Sequence, residues 1–234
     1  MKILITSLSG GTGKTVLAYN MSRHFSKSLL IDLTSNRHMS VIFNTPMDGS
    51  GYQTFQAGHK NIDELIVKSD NISFLPRGAE GEIKYESLKE ILDMDGGSYD
   101  SIIADFQADN TQKVLAICPL FDIIVVPMRC DVSVKAEVWL LSKLKEAGVP
   151  IHIVPVILRN KSLDAKISIA VRVDEKKIRK NLPVNANSVF TVDYDPDVHD
   201  KTWQNQADEK KYAKVISIMK RYFAELKKDV KIKN

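Results

Sequence analysis

The sequence predicts an α/β protein with a doubly wound, mainly parallel sheet of about seven strands flanked by helices. Apolar runs alternate with helical patterns along most of the 234 residues. Several of these runs are unbroken stretches of Ile, Val and Leu, as expected for strands covered on both faces. The first run leads through a glycine-rich stretch into a helical pattern, and ligands of such sheets bind at the C-terminal ends of the strands.

The predicted elements follow one another in regular order. The strands are Lys2–Thr6, Ser28–Asp32, Ile72–Leu75, Ser101–Asp105, Asp122–Val126, Ile151–Leu158 and Ser188–Val192. The helices cover 14–26, 61–68, 84–94, 109–117, 132–147 and 207–228. Residues 44–59, rich in Gly, Ser and Thr, are predicted to form a mobile surface loop, and 159–187 a charged insertion of uncertain structure.

Length and composition are those of one ordinary globular domain, which we expect to span 1–234. Hydrophobic residues make up 44% and charged residues 26%, and no apolar run approaches the roughly 20 residues that span a bilayer. The chain enters a strand at once, without a secretory signal pattern. Cys118 and Cys130 are too few for a disulfide framework, so we expect packing thiols and a cytoplasmic location.

The formal net charge of +4 conceals an asymmetry along the chain. Residues 1–150 contain 15 Lys and Arg against 18 Asp and Glu, a charge of −3. Residues 151–234 contain 18 against 11, a charge of +7. The basic C-terminal third predicts a face for an anionic partner, DNA or a lipid surface, with a solvated lysine-rich face as the alternative.

A glycine-rich stretch separates the first predicted strand from the first predicted helix. Its three glycines let the backbone turn so that N–H groups point inward, and the helix dipole adds positive potential at the same place. In such a loop Lys14 reaches the β- and γ-phosphates and the Thr15 hydroxyl ligates Mg²⁺. The alternative is a glycine-rich turn without a ligand. The residues predicted to contact a nucleotide here are Ser9, Gly10, Gly11, Thr12, Gly13, Lys14, Thr15 and Val16.

The loop departs from the G-x-x-x-x-G-K-[ST] spacing, which would place a glycine at Leu8. The segment 9–15, S-G-G-T-G-K-T, instead resembles K-G-G-x-G-K-[TS], the deviant Walker A loop of the ParA/MinD family of P-loop ATPases. Ser9 stands where that family has its signature lysine. The resemblance implies a ParA/MinD-like fold that binds ATP and Mg²⁺, with Lys14 and Asp32 serving catalysis.

Two acidic residues end predicted strands. Asp32 ends the second strand, where it can hold Mg²⁺ through water, or else serve as a helix cap or turn residue. Asp105 ends a run of small and apolar residues, a Walker B pattern that indicates the Mg²⁺ shell. The family pattern at the first position is D-x-D, and Thr34 replaces its second carboxylate. We therefore expect Thr15, Asp32 and Asp105 to hold the metal.

Two later segments resemble the parts of the family that surround the nucleotide base. Asn160 follows a predicted strand and could hydrogen-bond an adenine edge, although an exposed loop asparagine explains it equally. Asp195 lies in T-V-D-Y-D-P, which resembles the family's I-P-x-D-P segment with Asp193 in place of proline. The resemblance spans nearly the whole chain, and its specific part is the phosphate loop.

The predicted helix 207–228 carries an apolar stripe with a basic periphery. Such a stripe can dock on the sheet with solvated lysines around it, or lie on a membrane as in MinD-like relatives. ParA-like relatives bind DNA non-specifically through basic residues, and the polar tip of this helix favours DNA over a membrane. The stripe is Val215, Ile218, Met219, Tyr222, Phe223 and Leu226. Candidate DNA contacts are Arg172, Lys176, Lys177, Arg179, Lys180, Lys220 and Arg221.

Ser9 and Thr34 are the departures that bear on hydrolysis. In the family, ATP-bound monomers pair face to face and the signature lysine reaches the partner's phosphates, which the short, neutral Ser9 cannot do. Loss of a positive charge at the transferred phosphoryl group removes transition-state stabilisation, unless another cation such as Arg37 or Arg129 substitutes. We therefore expect a Mg-nucleotide-binding switch with slow hydrolysis.

The leading hypothesis is a ParA-like ATPase of DNA segregation or of plasmid partition, maintenance or transfer. It would form an ATP-dependent homodimer, bind DNA through its basic third and respond to a DNA-bound adaptor protein. The alternative is a positioning or scaffold protein that recruits partners with little hydrolysis. A metabolic amidoligase or synthetase would need a further cluster of catalytic side chains, and the five histidines show no metal or triad spacing.

Overall fold

The computed structural model describes residues 1–46, 49–94, 98–129, 134–148, 152–159, 182, 189–193, 196–204, 217–222 and 224–225. The strands are β1 (Lys2–Ser7), β2 (Ser28–Asp32), β3 (Val67–Ser69), β4 (Ile72–Leu75), β5 (Ser101–Gln107), β6 (Ile123–Arg129), β7 (His152–Arg159) and β8 (Phe190–Asp193). The helices are α1 (Lys14–Arg23), α2 (His38–Ile42), α3 (Tyr52–Gln56), α4 (Tyr85–Asp93), α5 (Thr111–Ile117), α6 (Val134–Glu146) and α7 (Pro196–Trp203). Two 3₁₀ turns lie at Ile62–Glu64 and Cys118–Leu120.

The strands form one eight-stranded sheet in the order β3-β4-β2-β5-β1-β6-β7-β8. Every neighbouring pair is parallel except β3 and β4, so the predicted doubly wound, mainly parallel sheet is confirmed. The strands β2 to β5 lie on one side of β1 and β6 to β8 on the other. The topological switch point therefore falls beside β1, where ligands of such sheets bind.

Both faces of the sheet are buried, which explains the unbroken apolar runs. Leu4 belongs to the hydrophobic cluster on one face, whereas Ile3 and Ile5 belong to the cluster on the other, as the two-residue period of a strand requires. Leu17 of α1 packs in the cluster of Ile3, and Leu140 of α6 packs in the cluster of Leu4. Helices thus cover the sheet from both sides and hold the ends of its central strands rigid.

The predicted helix 61–68 is wrong. Residues Ile62–Glu64 form a single 3₁₀ turn, and the segment then pairs antiparallel with β4, with Ser69 opposite Ile72. Asp70 between the two strands has a φ of 50°, the left-handed conformation that a tight hairpin turn needs. The apolar spacing of this segment mimics a helical period, and pairing with the edge of the sheet outweighs it.

The predicted surface loop 44–59 is also wrong in part, because it contains α3. Tyr52 at the start of this helix is fully buried, and its hydroxyl donates to the Lys84 carbonyl at 2.9 Å. A Cβ on Gly51 would lie 2.2 Å from the Pro76 carbonyl oxygen. The glycine therefore marks a close approach of two backbone segments, and the composition that suggests a loop has a packing cause.

The C-terminal region is described only in part. Residues 217–222 and 224–225 are helical, in agreement with the predicted helix 207–228, whereas most of the insertion 159–187 lies outside the described residues. Met219 is buried in the core and the Tyr222 ring contacts the ring of Phe190, so this part of the stripe docks on the protein. Cys118 is buried, while Cys130 is outside the described residues. Among the described helices, none has the length and apolar character needed to cross a bilayer.

Candidate functional site

The loop between β1 and α1 has the backbone that its glycines predict. Gly11 and Gly13 have φ values of 66° and 78°, in the left-handed region that favours glycine. A Cβ on Gly13 would also lie 2.6 Å from Leu158 Cδ1, whereas a Cβ on Gly10 would meet nothing within 4 Å. Gly13 directly precedes α1, so the loop delivers the chain to the helix N-terminus, where unpaired N–H groups attract anions.

The Lys14 ammonium lies inside the loop that precedes it. It donates to Ser7 Oγ at 2.8 Å, to the Ser9 carbonyl at 3.0 Å and to Thr12 Oγ1 at 3.4 Å. Only 6% of the residue is exposed, and this burial lowers the pKa of the ammonium, while the charges of Asp105 and Glu137 oppose that shift. A positive charge is therefore held at the centre of the loop.

The two predicted carboxylates meet at the ends of adjacent strands. Asp32 on β2 is the register partner of Asp105 on β5, and both are fully buried. The Thr15 hydroxyl donates to Asp105 Oδ2 at 2.7 Å. Asp32 Oδ1 accepts from the Thr34 backbone N–H at 2.8 Å and from the Thr34 hydroxyl at 2.7 Å. The strand register thus brings together the residues predicted to hold the metal.

Each of these carboxylates retains one oxygen without a partner. Asp32 Oδ2 and Asp105 Oδ1 are buried and accept no hydrogen bond from any residue that the structure describes. Burial raises the pKa of Asp32 to about 6. Burial and the neighbouring charge of Asp32 raise the pKa of Asp105 to about 7. Carboxyl oxygens without a hydrogen-bond partner, beside a threonine hydroxyl, are the hard oxygen ligands that fit a Mg²⁺ ion.

Glu137 of α6 is a loop contact that our sequence interpretation missed. Its fully buried carboxylate accepts the backbone N–H of Leu8 at 3.0 Å and that of Ser9 at 2.9 Å. The helix spacing offers a signal for it, because Glu137 lies three residues after buried Val134 and three before buried Leu140. An acidic residue at a core position of a helix requires a partner, and here the partner is the backbone of the loop before α1.

A cavity of about 360 Å³ opens over the loop. Its polar wall combines loop residues with side chains from the ends of β2, β5 and β6, and its apolar wall includes an aromatic pair, His38 and Trp203, with ring centroids 5.2 Å apart. The cavity is therefore large enough for a small-molecule ligand with an anionic part. Its lining residues are Gly11, Thr12, Gly13, Lys14, Thr15, Val16, Thr34, Asn36, His38, Gln107, Arg129, Leu158 and Trp203.

The structure separates the two arginines that the sequence offers as additional cations. Arg129 lines the cavity, and its Nη1 donates to the Gly11 carbonyl at 3.4 Å. Arg37 forms an ion pair with Glu80, with Nη2 and Oε1 3.6 Å apart, and does not belong to the described cavity wall. Of the two, Arg129 is the one at the loop.

Several predicted site residues are not tested by this geometry. Asn160 and Asp195 lie outside the described residues, as do the basic residues 172–180. Lys220 is described, but its ammonium donates to the His24 carbonyl and lies 4.8 Å from the Phe25 ring centroid. Lys220 therefore connects the C-terminal helix to the residues that follow α1. Arg221 is exposed.

Comparisons with known proteins identify the fold. No protein-family model matches the sequence, and no curated protein matches it. Solved structures do match: MinD in the MinC:MinD cell division complex of Aquifex aeolicus has a TM-score of 0.76 at 20% identity, with 95% of each chain covered. The septum site-determining protein MinD of Pyrococcus horikoshii, complexed with Mg-ADP, has a TM-score of 0.68 at 17% identity, covering 88% of this chain and 86% of that chain.

A plasmid partition protein of Borrelia burgdorferi is similar at a TM-score of 0.64 and 18% identity, covering 96% of this chain and 98% of that chain. These alignments extend over most of both chains, so the likeness concerns the whole sheet and its order of elements. At such identities the likeness concerns the fold. The chain therefore has the fold of these MinD and plasmid partition structures, as the sequence predicts, whereas the resemblance of the loop 9–15 to the deviant Walker A loop stays a prediction.

Proposed function

We propose that this protein is a ParA/MinD-like switch that binds Mg-ATP and hydrolyses it slowly. The observation that carries the proposal is the joint geometry of loop and carboxylates. Buried Lys14 lies within a glycine-rich loop at a helix N-terminus. Asp32 and Asp105 each have one buried oxygen without a partner, and the other oxygen accepts the hydroxyl of Thr34 or Thr15, two residues that line the cavity. A polyphosphate with its divalent cation supplies the charges that this arrangement lacks.

In this proposal the loop residues from Ser9 to Val16 bind the phosphates, and Thr15, Asp32 and Asp105 hold Mg²⁺. When bound, Mg²⁺ neutralises phosphate charge as the terminal phosphoryl group is transferred. Lys14 is already buried and oriented by three oxygens, so it needs little reordering to contact a phosphate. Asn160 and Asp195 are proposed contacts of the base.

The biological role that we propose is DNA segregation or plasmid partition, maintenance or transfer in the cytoplasm, by one domain spanning 1–234. The protein would form an ATP-dependent homodimer, bind DNA without sequence specificity through its basic third (about 151–234) and respond to a DNA-bound adaptor. The excess of +7 charge in 151–234 supports the DNA part, and the likeness to plasmid partition proteins supports the role.

A second candidate is a positioning or scaffold protein that binds nucleotide with little or no turnover. Two observations favour it. Ser9 brings no charge to the loop, and its N–H is bound by Glu137. The Thr34 hydroxyl is bound to Asp32, and so it is not available to orient a water as a second carboxylate could. The MinD fold, shared by a protein crystallised with its partner MinC, is compatible with this candidate.

The first experiment is calorimetric titration with Mg-ATP and Mg-ADP, with molecular mass measured in each state. Lys14→Ala is the control variant. Lys14-dependent binding of ATP with a shift to the dimer mass supports the switch, whereas no binding of either nucleotide at millimolar concentration refutes it. Phosphate release with and without duplex DNA then separates the candidates: DNA-stimulated turnover favours the partition ATPase, and ATP-dependent dimerisation without turnover favours the scaffold.

The DNA part has its own test. Affinity for a non-specific duplex in the presence of Mg-ATP is measured at two or more salt concentrations, alongside vesicles containing anionic lipid. We expect DNA affinity to fall steeply with salt, since counterion release drives such binding. Binding to vesicles but not to DNA would replace DNA by a membrane as the target of the basic third.

A further inference from the structure

We propose that Arg129 is a nucleotide-binding residue whose guanidinium contacts the phosphates on the side of the loop opposite the metal site. This inference rests on the proposed function, because it assigns a further ligand contact within the same cavity. It concerns a residue that no loop motif includes, since Arg129 lies more than a hundred residues after Gly11 in the chain.

The sheet order places Arg129 across the loop from the carboxylates. Asp105 lies two residues before the end of β5, the strand on one side of β1, with Asp32 at the end of β2 beyond it, and Arg129 ends β6, the strand on the other side. The loop leaves the C-terminal end of β1 and therefore lies between them. A ligand seated on the loop meets a metal at Thr15, Asp32 and Asp105 on one flank and a guanidinium on the other.

The Arg129 guanidinium contacts the backbone of the loop at Gly11. Arg129 Nη1 donates to the Gly11 carbonyl at 3.4 Å, and it lies 3.7 Å from the position that a Cβ on Gly11 would take. The second distance is that of ordinary van der Waals contact, so the guanidinium lies directly beside the Gly11 backbone. Both residues line the cavity, so the contact is exposed to an incoming ligand.

Arg129 supplies a second positive charge to the cavity that Lys14 also lines. The Lys14 ammonium is shared among three oxygens on Ser7, Ser9 and Thr12, so its charge is already partly engaged within the loop. A nucleoside triphosphate adds several further negative charges. The planar guanidinium presents five N–H donors that match phosphate oxygens, a geometry suited to binding two oxygens at once.

The second arginine provides the matched control. Arg37 follows β2 and has its guanidinium 3.6 Å from Glu80, away from the described cavity wall. Arg129→Gln and Arg37→Gln remove the same charge and keep a similar side-chain length. Arg129→Lys keeps the positive charge but loses the planar guanidinium with its paired N–H donors, so it separates an electrostatic contact from a packing effect.

The test is calorimetric titration of the wild-type protein and the three variants with Mg-ATP and Mg-ADP, together with urea unfolding of each free protein. We expect Arg129→Gln to weaken binding of Mg-ATP about tenfold or more, the range of a lost charge-assisted contact. Arg129→Lys should recover part of the affinity, because it restores the charge without the paired donors, and Arg37→Gln should bind as the wild type does. The urea midpoint of Arg129→Gln should stay that of the wild type.

The contrary results are distinct from one another. If wild type binds Mg-ATP in a Lys14-dependent way and Arg129→Gln binds it equally well, Arg129 is not a ligand contact, although the nucleotide switch stands. If Arg129→Gln and Arg129→Lys both bind weakly and both unfold at lower urea, Arg129 only supports the loop, and the inference is overturned. If wild type binds no nucleotide, the proposed function fails and this inference fails with it.

Discussion

Replacing Asp105 by asparagine should change how the stability of the nucleotide-free protein depends on pH. Asp105 is fully buried beside Asp32, and its Oδ2 accepts the Thr15 hydroxyl at 2.7 Å. An asparagine can keep that hydrogen bond through its Oδ1 and has no charge to bury. The substitution therefore removes the titration of this group while it preserves most of the local packing.

The size of the effect follows from the pKa. Burial raises the pKa of Asp105 to about 7 from an ordinary value of 3.8, which the unfolded chain regains. Between those values the folded carboxyl keeps its proton and the unfolded one has lost it, so the folded state loses stability as pH rises, until both are ionised above pH 7. From pH 5 to pH 8 the loss approaches about 3 kcal/mol, because the two pH units between pH 5 and the folded pKa each contribute about 1.4 kcal/mol.

The assay is urea unfolding at pH 5 and at pH 8, without Mg²⁺ and without nucleotide. Wild type should lose about 3 kcal/mol more than Asp105→Asn between these two values. Asp109→Asn serves as the control, because this exposed carboxylate pairs with Lys113 and should leave the wild-type dependence unchanged. Equal pH dependence in wild type and Asp105→Asn would refute the inference that Asp105 is protonated in the free site.

Three further substitutions test the loop and its supports. Gly13→Ala should lower the free energy of unfolding by about 1–3 kcal/mol, because the new Cβ would lie 2.6 Å from a leucine side chain of β7 and the residue has a φ of 78°. Gly10→Ala is the control and should be nearly neutral, because a Cβ there meets no atom within 4 Å. Equal urea midpoints of the two variants would contradict this expectation. Glu137→Ala should lower the free energy of unfolding by about 2–4 kcal/mol and weaken nucleotide binding, because two loop N–H groups lose their acceptor. Urea unfolding measures the first effect and calorimetric titration the second. Unchanged values of both would show that water replaces the carboxylate. Thr34→Asp should raise the pKa of Asp32 further, because a second carboxylate replaces the hydroxyl donation of Thr34 with charge repulsion, while the backbone N–H donation remains. Carboxyl titration by NMR measures this pKa, and a lowered pKa would count against this geometry.

Local patterns predict the central sheet well because its strands are buried on both faces. The strand Ser28–Asp32 is observed with the predicted bounds. The strand predicted as Ser101–Asp105 starts where expected and is longer by two residues, ending at Gln107. The prediction fails at the periphery, where 61–68 forms a turn and the edge strand β3, and where α3 lies within the predicted loop 44–59. At an edge, a few tertiary contacts outweigh a short stretch of local preference.

The candidate site divides in the same way. Motif spacing alone identifies Lys14, Thr15 and the carboxylates at the strand ends, because parallel strands bring their C-terminal ends to one edge of the sheet. Helix spacing indicates that Glu137 lies at a buried position, but it does not identify its partners, which are 128 and 129 residues away. The sequence likewise does not decide between Arg129 and Arg37 as the arginine at the loop.

By itself, therefore, the sequence determined the fold class, the glycine-rich loop before α1 and the acidic residues near the strand ends, since each depends on residues close together in the chain or on the general rule of parallel sheets. Only the tertiary structure decided which distant side chains meet that loop. A buried carboxylate on α6 and a guanidinium at the end of β6 reach it through strand order and helix packing. Those contacts depend on the positions of whole elements in space, and no local spacing in the chain encodes them.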